Sequence, residues 1–469
     1  MYRLKILTVF FTYSLFFLPA LLMAQDGRAL YDKYCATCHG KNLEGGDGSS
    51  FIDAVWSYGD GKNAVFRNIK YGILNVGMPA WGSVMTDDDI RTLMGFIFDQ
   101  ENKSGVSPPP IAKEITTEDY KISVETVAEG LDTPWAIAFL DERHSLVTEK
   151  NGQLRFLIDD KLQPKPVANT PAVLNEGQGG LLDVAADPEY AQNGWVYLAY
   201  SHDLGTAKTG KSRSGAMTRI VRGKIKNNRW TSEQVIFEAP HEKYRTTRHH
   251  YGCRIVFDSE GYLYFSIGDR GAGDQAQDVA YPNGKLHRIH RDGKIPEDNP
   301  FVKDKNAIPS IFSYGHRNPQ GLAFHPSTGE LWETEHGPMG GDELNKPIMG
   351  LNYGWPEITY GINYNGDIIS EFKEKPNMEQ PVLHWTPSIA VCGIDFYKGG
   401  AFPKWENNLF VSALKYKQLA RLVIEDNKVV KEEIILKNAG RVRDVGITNE
   451  GVIYMVLNRP GKILKLSPK

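Results

Sequence analysis

The sequence has few cysteines, no long charged tract and no long apolar run beyond its N-terminus. Four of its 469 residues are cysteine, which excludes a small fold stapled by many disulfides. Charged residues make up 24% of the chain and the formal net charge is −3, so the basic surface typical of a nucleic-acid-binding protein is absent. We therefore expect no nucleic acid among its partners.

The N-terminus carries the apolar run. Arg3 and Lys5 precede an apolar stretch over residues 6–22, and Ala24 follows it. This order is typical of a secretory signal peptide, so residues 1–24 are predicted to be removed and the mature protein to be periplasmic or secreted. The alternative is an uncleaved anchor, because the run approaches the roughly 20 apolar residues that cross a bilayer. This segment would then be the protein's contact with the membrane.

A haem-attachment motif follows the signal segment. Cys35-x-x-Cys38-His39 is the C-x-x-C-H pattern of c-type haem, in which two thiols on one helical turn bond to the porphyrin. His39 is then placed to be the proximal iron ligand. The alternatives, a redox dithiol or half of a zinc site, need further ligands that the neighbouring sequence does not supply.

A methionine is the expected sixth ligand of the iron. Met78 lies between a glycine and a proline in a predicted loop, which can present its sulfur to iron. Met85 is the competitor, but it stands next to Thr86, the predicted N-cap of a helix, and we expect it to pack in the core. An open sixth position, as in a gas sensor or a peroxidase, is the alternative that Met78 argues against.

The segment around these ligands is predicted to be helical. An opening helix is expected at Gly27–Tyr34, and the helix after Thr86 has an apolar face at helical spacing. That face consists of Ile90, Leu93, Met94 and Ile97. Residues 25–101 thus resemble a class I cytochrome c, a small all-α domain with covalently bound haem c.

A polar segment separates this domain from the rest. At 469 residues the chain exceeds what one hydrophobic core usually serves, so two domains are expected. Residues 102–119 contain Pro108-Pro109-Pro110 and show neither helical nor strand periodicity, which predicts a semi-rigid linker. The second domain is then expected over residues 120–469.

The second domain repeats one pattern: an apolar strand, a polar turn and a second apolar strand. Six such hairpins begin near Ile137, Val184, Ile255, Leu322, Ile394 and Val445. Repeated antiparallel units of this kind predict an all-β, six-bladed β-propeller, with little helix after Lys113. A β-sandwich is the alternative, but six hairpins would overfill one sandwich.

Unusual polar residues gather in the loops between hairpins. Arginine and lysine side chains at Arg317, Lys415, Arg441 and Arg443 can bind an anionic ligand, and a loop histidine can act as a base. The carboxylates of the glycine-flanked 341–345 segment are the oxygen ligands that Ca²⁺ accepts. Each feature also has an ordinary interpretation, a solvated strand face for the basic residues and a turn for the acids.

Three motifs give these residues a common context. Gly-His-Arg-Asn-Pro-Gln-Gly-Leu (315–322), the Glu-His-Gly-Pro and Gly-Gly-Asp-Glu-Leu-Asn pair (335–345) and Asn-Tyr-Gly-Trp-Pro (352–356) resemble the soluble glucose/sorbosone dehydrogenase family. The resemblance extends from about Leu131 to the C-terminus. It implies a six-bladed propeller that uses pyrroloquinoline quinone (PQQ) and Ca²⁺ to oxidise an aldose at the anomeric carbon, giving a lactone.

The resemblance also implies roles for individual residues. His250 is expected to be the general base and Arg317 to assist it, while His249 is expected to be structural. Contacts with PQQ are implied for Gln178, Arg317, Asn318, Lys415, Arg441 and Arg443. Backbone carbonyls of Gly337 and Pro338 are implied as ligands of the catalytic Ca²⁺, Glu343 and the carbonyl of Tyr353 as ligands of a structural Ca²⁺, and Trp385 as a residue on the sugar side.

Two cysteines depart from the family pattern. Cys253 stands where the family usually has glycine, and Cys392 where serine is usual. Because both loops carry residues implied near the cofactor and export favours oxidation, a Cys253–Cys392 disulfide is expected. The alternative is a pair of small buried apolar side chains.

The fusion implies an electron-transfer chain. A tethered cytochrome would take electrons from the reduced quinone at high effective concentration and pass them to another cytochrome c or a terminal oxidase. Two other functions stay open: oxidation of a different alcohol or aldehyde with the same cofactor, and a non-catalytic carbohydrate-binding propeller that carries an electron-transfer haem.

Overall fold

The computed structural model describes residues 26–59, 61–73, 76–205 and 213–469. The predicted signal peptide lies outside these residues. The chain divides into two compact units. The first comprises the described residues up to Ala54 together with Val65–Ser107, and the second comprises Val55–Ala64 and Pro108–Lys469.

Helices dominate the N-terminal part of the chain. They are α1 (Gly27–Tyr34), α2 (Ala36–His39), α3 (Lys62–Tyr71) and α4 (Asp87–Ser104). Helix α4 begins with a capping box in which Thr86 and Asp89 bond each other's backbone N–H groups, which satisfies two donors that the first turn leaves free. Its predicted apolar face is buried, and α4 packs against α1. The predicted opening helix and the helix after Thr86 are both confirmed.

The second unit is built from strands. Two of them, β1 (Glu114–Thr116) and β2 (Lys121–Glu129), precede the first blade. Blade 1 contains β3 (Pro134–Phe139), β4 (His144–Glu149), β5 (Leu154–Ile158) and β6 (Lys161–Leu162). Blade 2 contains β7 (Leu181–Ala186), β8 (Val196–Asp203), β9 (Ala216–Lys226) and β10 (Arg229–Glu238), and a short helix α5 (Tyr190–Asn193) joins β7 to β8.

The remaining blades repeat this antiparallel order. Blade 3 contains β11 (Ile255–Phe257), β12 (Tyr262–Ile267), β13 (Lys285–His290) and β14 (Ile311–Tyr314), with α6 (Gly273–Gln277) between β12 and β13. Blade 4 contains β15 (Pro319–Phe324), β16 (Leu331–Glu335), β17 (Asp342–Asn345) and β18 (Leu383–Trp385). Blade 5 contains β19 (Val391–Phe396), β20 (Leu409–Ala413), β21 (Gln418–Glu425) and β22 (Lys428–Lys437), and blade 6 contains β23 (Arg441–Ile447), β24 (Ile453–Arg459) and β25 (Lys462–Pro468).

The two N-terminal strands complete blade 6. Strand β2 pairs antiparallel with β25, so that Val124 faces Leu466, and β1 pairs with the outer edge of β2. A strand from the start of the unit thus closes the ring against its last blade, which protects an edge that would otherwise be open. Strand β1 lies inside the segment predicted as linker 102–119, and α4 extends into the same segment as far as Ser104.

The six blades confirm the predicted propeller. The predicted hairpins correspond to the first strands of the blades, β3, β7, β11, β15, β19 and β23. Successive first strands pack against one another around the ring, and β23 returns to β3. Six separate sheets exclude the β-sandwich alternative. After Lys113 the described α-helices are the short α5 and α6, and no helix of the described part of the chain is long and apolar enough to cross a membrane.

Candidate active site and haem-binding motif

The haem motif lies where α1 ends and α2 begins. The His39 N–H donates to the carbonyl oxygen of Cys35 at 2.9 Å, which holds the motif in one helical turn. The His39 Nδ1 lies 2.7 Å from the carbonyl oxygen of Ser49, and its ring stacks on Phe51 with centroids 4.4 Å apart. A hydrogen bond from Nδ1 fixes the tautomer that leaves Nε2 as a metal ligand, so the residues present fit a haem iron.

The two methionines occupy different environments. Met78 lies in a half-buried loop, where its carbonyl oxygen accepts the N–H of Ile73 at 2.9 Å. Met85 is 4% exposed and belongs to the core of the unit, which agrees with the packing role expected for it. Of the two, Met78 has the loop placement that a sixth ligand requires.

The centre of the propeller site is a histidine paired with a carboxylate. His250 has a left-handed backbone conformation with φ of 55°, and its side chain is 15% exposed. Its Nδ1 lies 2.7 Å from Asp269 Oδ1. Its backbone N–H donates to Gln178 Oε1 at 2.7 Å, so the predicted base and one predicted cofactor contact lie together.

Asp269 is a residue that sequence reasoning missed. It is 2% exposed and follows the end of β12. Besides the His250 ring, it accepts the N–H of Gly271 at 2.7 Å on Oδ1 and the indole N–H of Trp355 at 2.8 Å on Oδ2. Burial opposes ionisation of this carboxyl, but the hydrogen bond from His250 and the nearby charges lower its pKa below the usual value. Asp269 is therefore an ionised group that orients the imidazole.

Burial sets the protonation state of His250. Desolvation lowers its pKa to about 4, and the positive charge of Arg317 acts in the same direction, against the raising effect of Asp269. The imidazole is therefore neutral near pH 7. With Nδ1 directed at Asp269, Nε2 is the atom that can accept a proton.

Arg317 lies next to this pair, on the loop before β15. Its Nη1 donates to the carbonyl oxygens of His336 at 2.8 Å and Gly337 at 2.9 Å. Its guanidinium carbon lies 5.2 Å from the centroid of the Trp355 ring. The carboxylate of Glu335 accepts the backbone N–H of Asn318 at 3.1 Å and that of Arg317 as well, which fixes the loop.

A second group of polar side chains extends from the same loop. Asn318 Oδ1 accepts the N–H of Gly252 at 3.2 Å, and Gln320 Oε1 accepts a hydrogen bond from Arg443 Nη1 at 2.9 Å. The Nε atoms of Arg317 and Arg443 are buried without a hydrogen-bond partner. Because buried guanidinium groups normally have every donor satisfied, this set fits an anionic ligand with several carboxylates, such as PQQ.

The carbonyl oxygens of Gly337 and Pro338 each accept a hydrogen bond from a side chain. The carbonyl of Gly337 accepts from Arg317, and that of Pro338 accepts from Ser388 Oγ at 3.2 Å. A Cβ at Gly337 would lie 2.0 Å from the carbonyl oxygen of Gly341, so only glycine fits there. Oxygen ligands on a tightly packed backbone suit Ca²⁺, which accepts carbonyl groups.

The acidic residues after this loop differ in their roles. Asp342 Oδ1 accepts the N–H of Gly337 at 3.0 Å, and its Oδ2 accepts those of Ala390 at 2.6 Å and Val391 at 3.2 Å. The Asp342 carboxylate thus holds the backbone of Gly337 next to that of Ala390 and Val391. Glu343 Oε2 lies 3.3 Å from Asn345 Nδ2 and leaves its other oxygen available for a cation.

Three other predicted site residues are Trp385, Arg441 and Lys415. Trp385 is 8% exposed and its indole belongs to the apolar core around β16 and β19, so Trp355 is the tryptophan that borders Asp269 and Arg317. Arg441 begins β23, two residues before Arg443. Lys415 follows β20, and its backbone N–H donates to the carbonyl oxygen of Ile389 at 3.0 Å.

The predicted disulfide is wrong. Cys253 and Cys392 are both fully buried free thiols. Cys253 Sγ lies 3.3 Å from the carbonyl oxygen of Tyr251, whereas Cys392 Sγ lies 3.4 Å from Arg443 Nη1. The Cys253 sulfur thus contacts its own loop and the Cys392 sulfur contacts Arg443 of the next blade, so both are small buried side chains, as the alternative interpretation expects.

Comparisons with known proteins identify the families to which the two parts of the chain belong. The family model described as Glucose / Sorbosone dehydrogenase matches residues 131–465, and the model described as Cytochrome C oxidase, cbb3-type, subunit III matches residues 23–97. The aldose sugar dehydrogenase YliI of Escherichia coli (strain K12) is 40% identical over 355 residues, which are 74% of this chain and 93% of that protein.

Two solved structures extend the comparison. The soluble aldose sugar dehydrogenase from Escherichia coli in its apo form has a TM-score of 0.68 at 37% identity, covering 74% of this chain and 100% of that one. The PQQ-bound aldose sugar dehydrogenase from Streptomyces coelicolor has a TM-score of 0.61 at 26% identity, covering 75% and 99%. Family match, identity and fold agree over the propeller: this chain belongs to the glucose/sorbosone dehydrogenase family and carries a cbb3-type cytochrome c domain at its N-terminus.

Proposed function

We propose that this protein is a periplasmic quinohaemoprotein that oxidises aldose sugars at the anomeric carbon to lactones. In this proposal PQQ and Ca²⁺ bind in the propeller, and electrons pass to haem c in the N-terminal domain. The observation that carries the proposal is the neutral, buried His250, held 2.7 Å from Asp269 and facing the charge of Arg317. A histidine in that state is a general base in a site that also attracts anions.

The chain's own residues would handle the proton. His250 Nε2 would accept the proton of the anomeric hydroxyl, and the resulting imidazolium would be stabilised by the ionised Asp269 on the other side of the ring. Trp355 donates to the second oxygen of Asp269 at 2.8 Å and keeps the carboxylate from rotating. The hydrogen bond from His250 N–H to Gln178 holds the left-handed backbone that aims the ring.

The chain's cations would hold the cofactor. PQQ together with Ca²⁺, when bound, supplies a quinone that accepts the two electrons of the sugar. Arg317 and Arg443 would each offer a buried Nε donor to a carboxylate, with Gln178, Asn318, Lys415 and Arg441 as the further contacts that the family resemblance implies. The carbonyl oxygens of Gly337 and Pro338 would hold the catalytic Ca²⁺, and Glu343 with the carbonyl of Tyr353 would hold a structural one.

The N-terminal domain would hold the electron carrier. Cys35 and Cys38 would form the thioether bonds, and His39 and Met78 would ligate the iron. Haem c, when bound, supplies a one-electron carrier between the sugar-oxidising site and an external cytochrome c or terminal oxidase. Joining the two domains in one chain raises the effective concentration of each for the other to the millimolar range expected for short linkers, about 1 mM or more.

The first test is a visible spectrum of the purified full-length protein, loaded with haem during expression. PQQ and Ca²⁺ are added, and spectra are recorded before and after glucose. We expect the reduced c-haem bands to grow only when sugar, PQQ and Ca²⁺ are all present. Sugar oxidation with an oxidised haem would refute the internal transfer, and no reaction with any aldose would refute the sugar dehydrogenase.

Two neighbouring histidines give a matched pair of variants. His250→Asn is expected to abolish sugar-dependent reduction, because it removes the base. His249→Asn is expected to retain it, because His249 was assigned a structural role and its ring only borders that of His250, with centroids 4.7 Å apart. Equal loss in both variants would contradict the assignment of the base.

A further inference from the structure

Blade 4 contains a buried group of potential metal ligands that the proposed reaction does not use. His316 precedes β15, and Glu333 and Glu335 lie on β16 with their side chains on the same face. One ligand atom from each of these three residues lies within 4.8 Å of the other two. The three side chains are 0%, 0% and 3% exposed, respectively, so water does not solvate their charges.

The carboxylates of this group lack cationic partners. Among the described residues, no lysine or arginine forms a salt bridge with Glu333, Glu335 or Glu343. The Asn345 Nδ2 group lies 3.0 Å from Glu333, 3.4 Å from Glu335 and 3.3 Å from Glu343, but an amide has two hydrogen atoms for these three acceptors. Buried carboxylates normally pair with a cation, coordinate a metal ion or take up a proton.

Two atoms in the cluster are buried without any hydrogen-bond partner. They are His316 Nδ1 and Glu333 Oε1. His316 Nδ1 lies 3.4 Å from Glu335 Oε1 but forms no hydrogen bond with it. Two ligand atoms of a tetrahedral zinc ion, each about 2.05 Å from the metal, lie roughly 3.4 Å apart. The spacing is that of two ligands on one ion.

The other side of the imidazole is already fixed. Ser313 Oγ lies 2.9 Å from His316 Nε2, and the ring stacks on Tyr353 with centroids 4.8 Å apart. In the tautomer whose Nε2–H donates to Ser313, the Nδ1 lone pair is directed at the carboxylates, as in metal-binding histidines. An imidazole combined with carboxylates suits zinc and its neighbours among the transition metals, whereas Ca²⁺ takes oxygen ligands.

We propose that His316, Glu333 and Glu335 bind a divalent transition-metal ion, with Zn²⁺ as the closest chemical match, in a structural site inside blade 4. The ion satisfies the two orphaned atoms and neutralises the buried acids. Its influence extends to the active site, because Glu335 also accepts the backbone N–H groups of Arg317 and Asn318. The site borders the calcium ligands implied at Glu343 and Tyr353, because Glu343 lies opposite Glu335 in the strand pair and the Tyr353 ring stacks on His316.

The test measures metal content and thermal unfolding of the full-length protein, without PQQ or sugar. The protein is stripped with EDTA, and Zn²⁺ or Ca²⁺ is returned alone before gel filtration and elemental analysis. We expect one equivalent of zinc to remain bound and the melting temperature to rise with Zn²⁺. No bound zinc and no rise, or filling of the site by Ca²⁺ in preference to Zn²⁺, would overturn the proposal.

Three variants locate the ion. Glu333→Gln keeps the shape of the side chain but removes a ligand, so we expect zinc affinity to fall by more than about 100-fold, beyond the range for outer-shell partners. Ser313→Ala removes the hydrogen bond on Nε2 and is expected to weaken zinc binding by about 10- to 100-fold. Glu330→Gln, at a carboxylate just before β16 whose side chain is 39% exposed, is the control and should retain zinc. Loss of zinc from Glu330→Gln, or its retention by Glu333→Gln, would refute this ligand set.

Discussion

Replacing Asp269 by asparagine tests the central pair of the active site. The side chain keeps its size, and Asn Oδ1 can still accept one hydrogen bond, but the negative charge next to His250 is lost. In the wild type that charge raises the pKa of His250 against the effects of burial and Arg317. A charge-assisted hydrogen bond of this kind contributes about 1.5–3 kcal/mol, which corresponds to a decrease in kcat of about 10- to 100-fold.

The pH profile gives the sign of the effect. His250 accepts a proton only when it is neutral, so activity is lost as the pH falls through its pKa. Because Asp269 raises that pKa, the acidic limb of the kcat profile should move to lower pH in Asp269→Asn while the maximum decreases. A weaker base should show both effects. Simple unfolding would decrease the maximum but would leave the pH of the acidic limb unchanged.

The assay is glucose-dependent reduction of an artificial acceptor by protein loaded with PQQ and Ca²⁺, in a pH series that starts below the His250 pKa of about 4. Trp355→Phe is the control, because it removes the 2.8 Å hydrogen bond to the far oxygen of Asp269 and leaves the carboxylate charged. Its kcat should decrease less than that of Asp269→Asn. An unchanged kcat together with an unchanged acidic limb in Asp269→Asn would refute the role of the pair.

Three further predictions address the haem, the core and the calcium loop. Met78→Ala should lower the midpoint potential of the haem in a redox titration, because the thioether stabilises the reduced iron. Arg254→Met should lower the free energy of unfolding in urea by about 3–5 kcal/mol, because it leaves two buried aspartates unpaired; the exposed Arg143→Met should change it by less than about 1 kcal/mol. Gly337→Ala should raise the Ca²⁺ concentration needed for half-maximal activity, because the added Cβ would lie 2.0 Å from a carbonyl oxygen. Gly400→Ala should leave that concentration unchanged, because the space around its Cβ is open.

The fold followed from local patterns. Each blade begins with a buried first strand, and the repetition of that pattern six times was enough to predict the propeller. The closing strands were missed because β1 is a three-residue edge strand in a polar, proline-rich segment. Its pairing depends on β2, and β2 in turn pairs with β25 at the other end of the chain, so no local signal indicates it.

The site could be predicted only where its residues lie in contiguous motifs. His250, Arg317 and Asn318 belong to such stretches, and they lie together in the structure. Asp269 meets His250 across 19 residues, in a loop whose short Gly-Asp-Arg-Gly sequence is that of an ordinary turn. The predicted disulfide failed for the opposite reason: proximity to one site does not direct two thiols at each other.

Buried carboxylates join neighbouring blades and so determine where the site residues lie. Asp183 of blade 2 accepts the N–H of Ile255 in blade 3 at 2.6 Å, Asp395 of blade 5 accepts that of Ile447 in blade 6 at 3.0 Å, and Asp444 of blade 6 accepts that of Ile137 in blade 1 at 3.2 Å. Asp342 forms the same link from blade 4 to the start of blade 5. Each bond fixes the first strand of one blade relative to its neighbour. The loop that carries His250 leads into β11, and Arg443 lies on β23 itself. Loss of one carboxylate should therefore displace a cofactor contact that lies on the following blade. These buried acids thus affect the reaction by positioning the site residues, without contacting the ligands themselves.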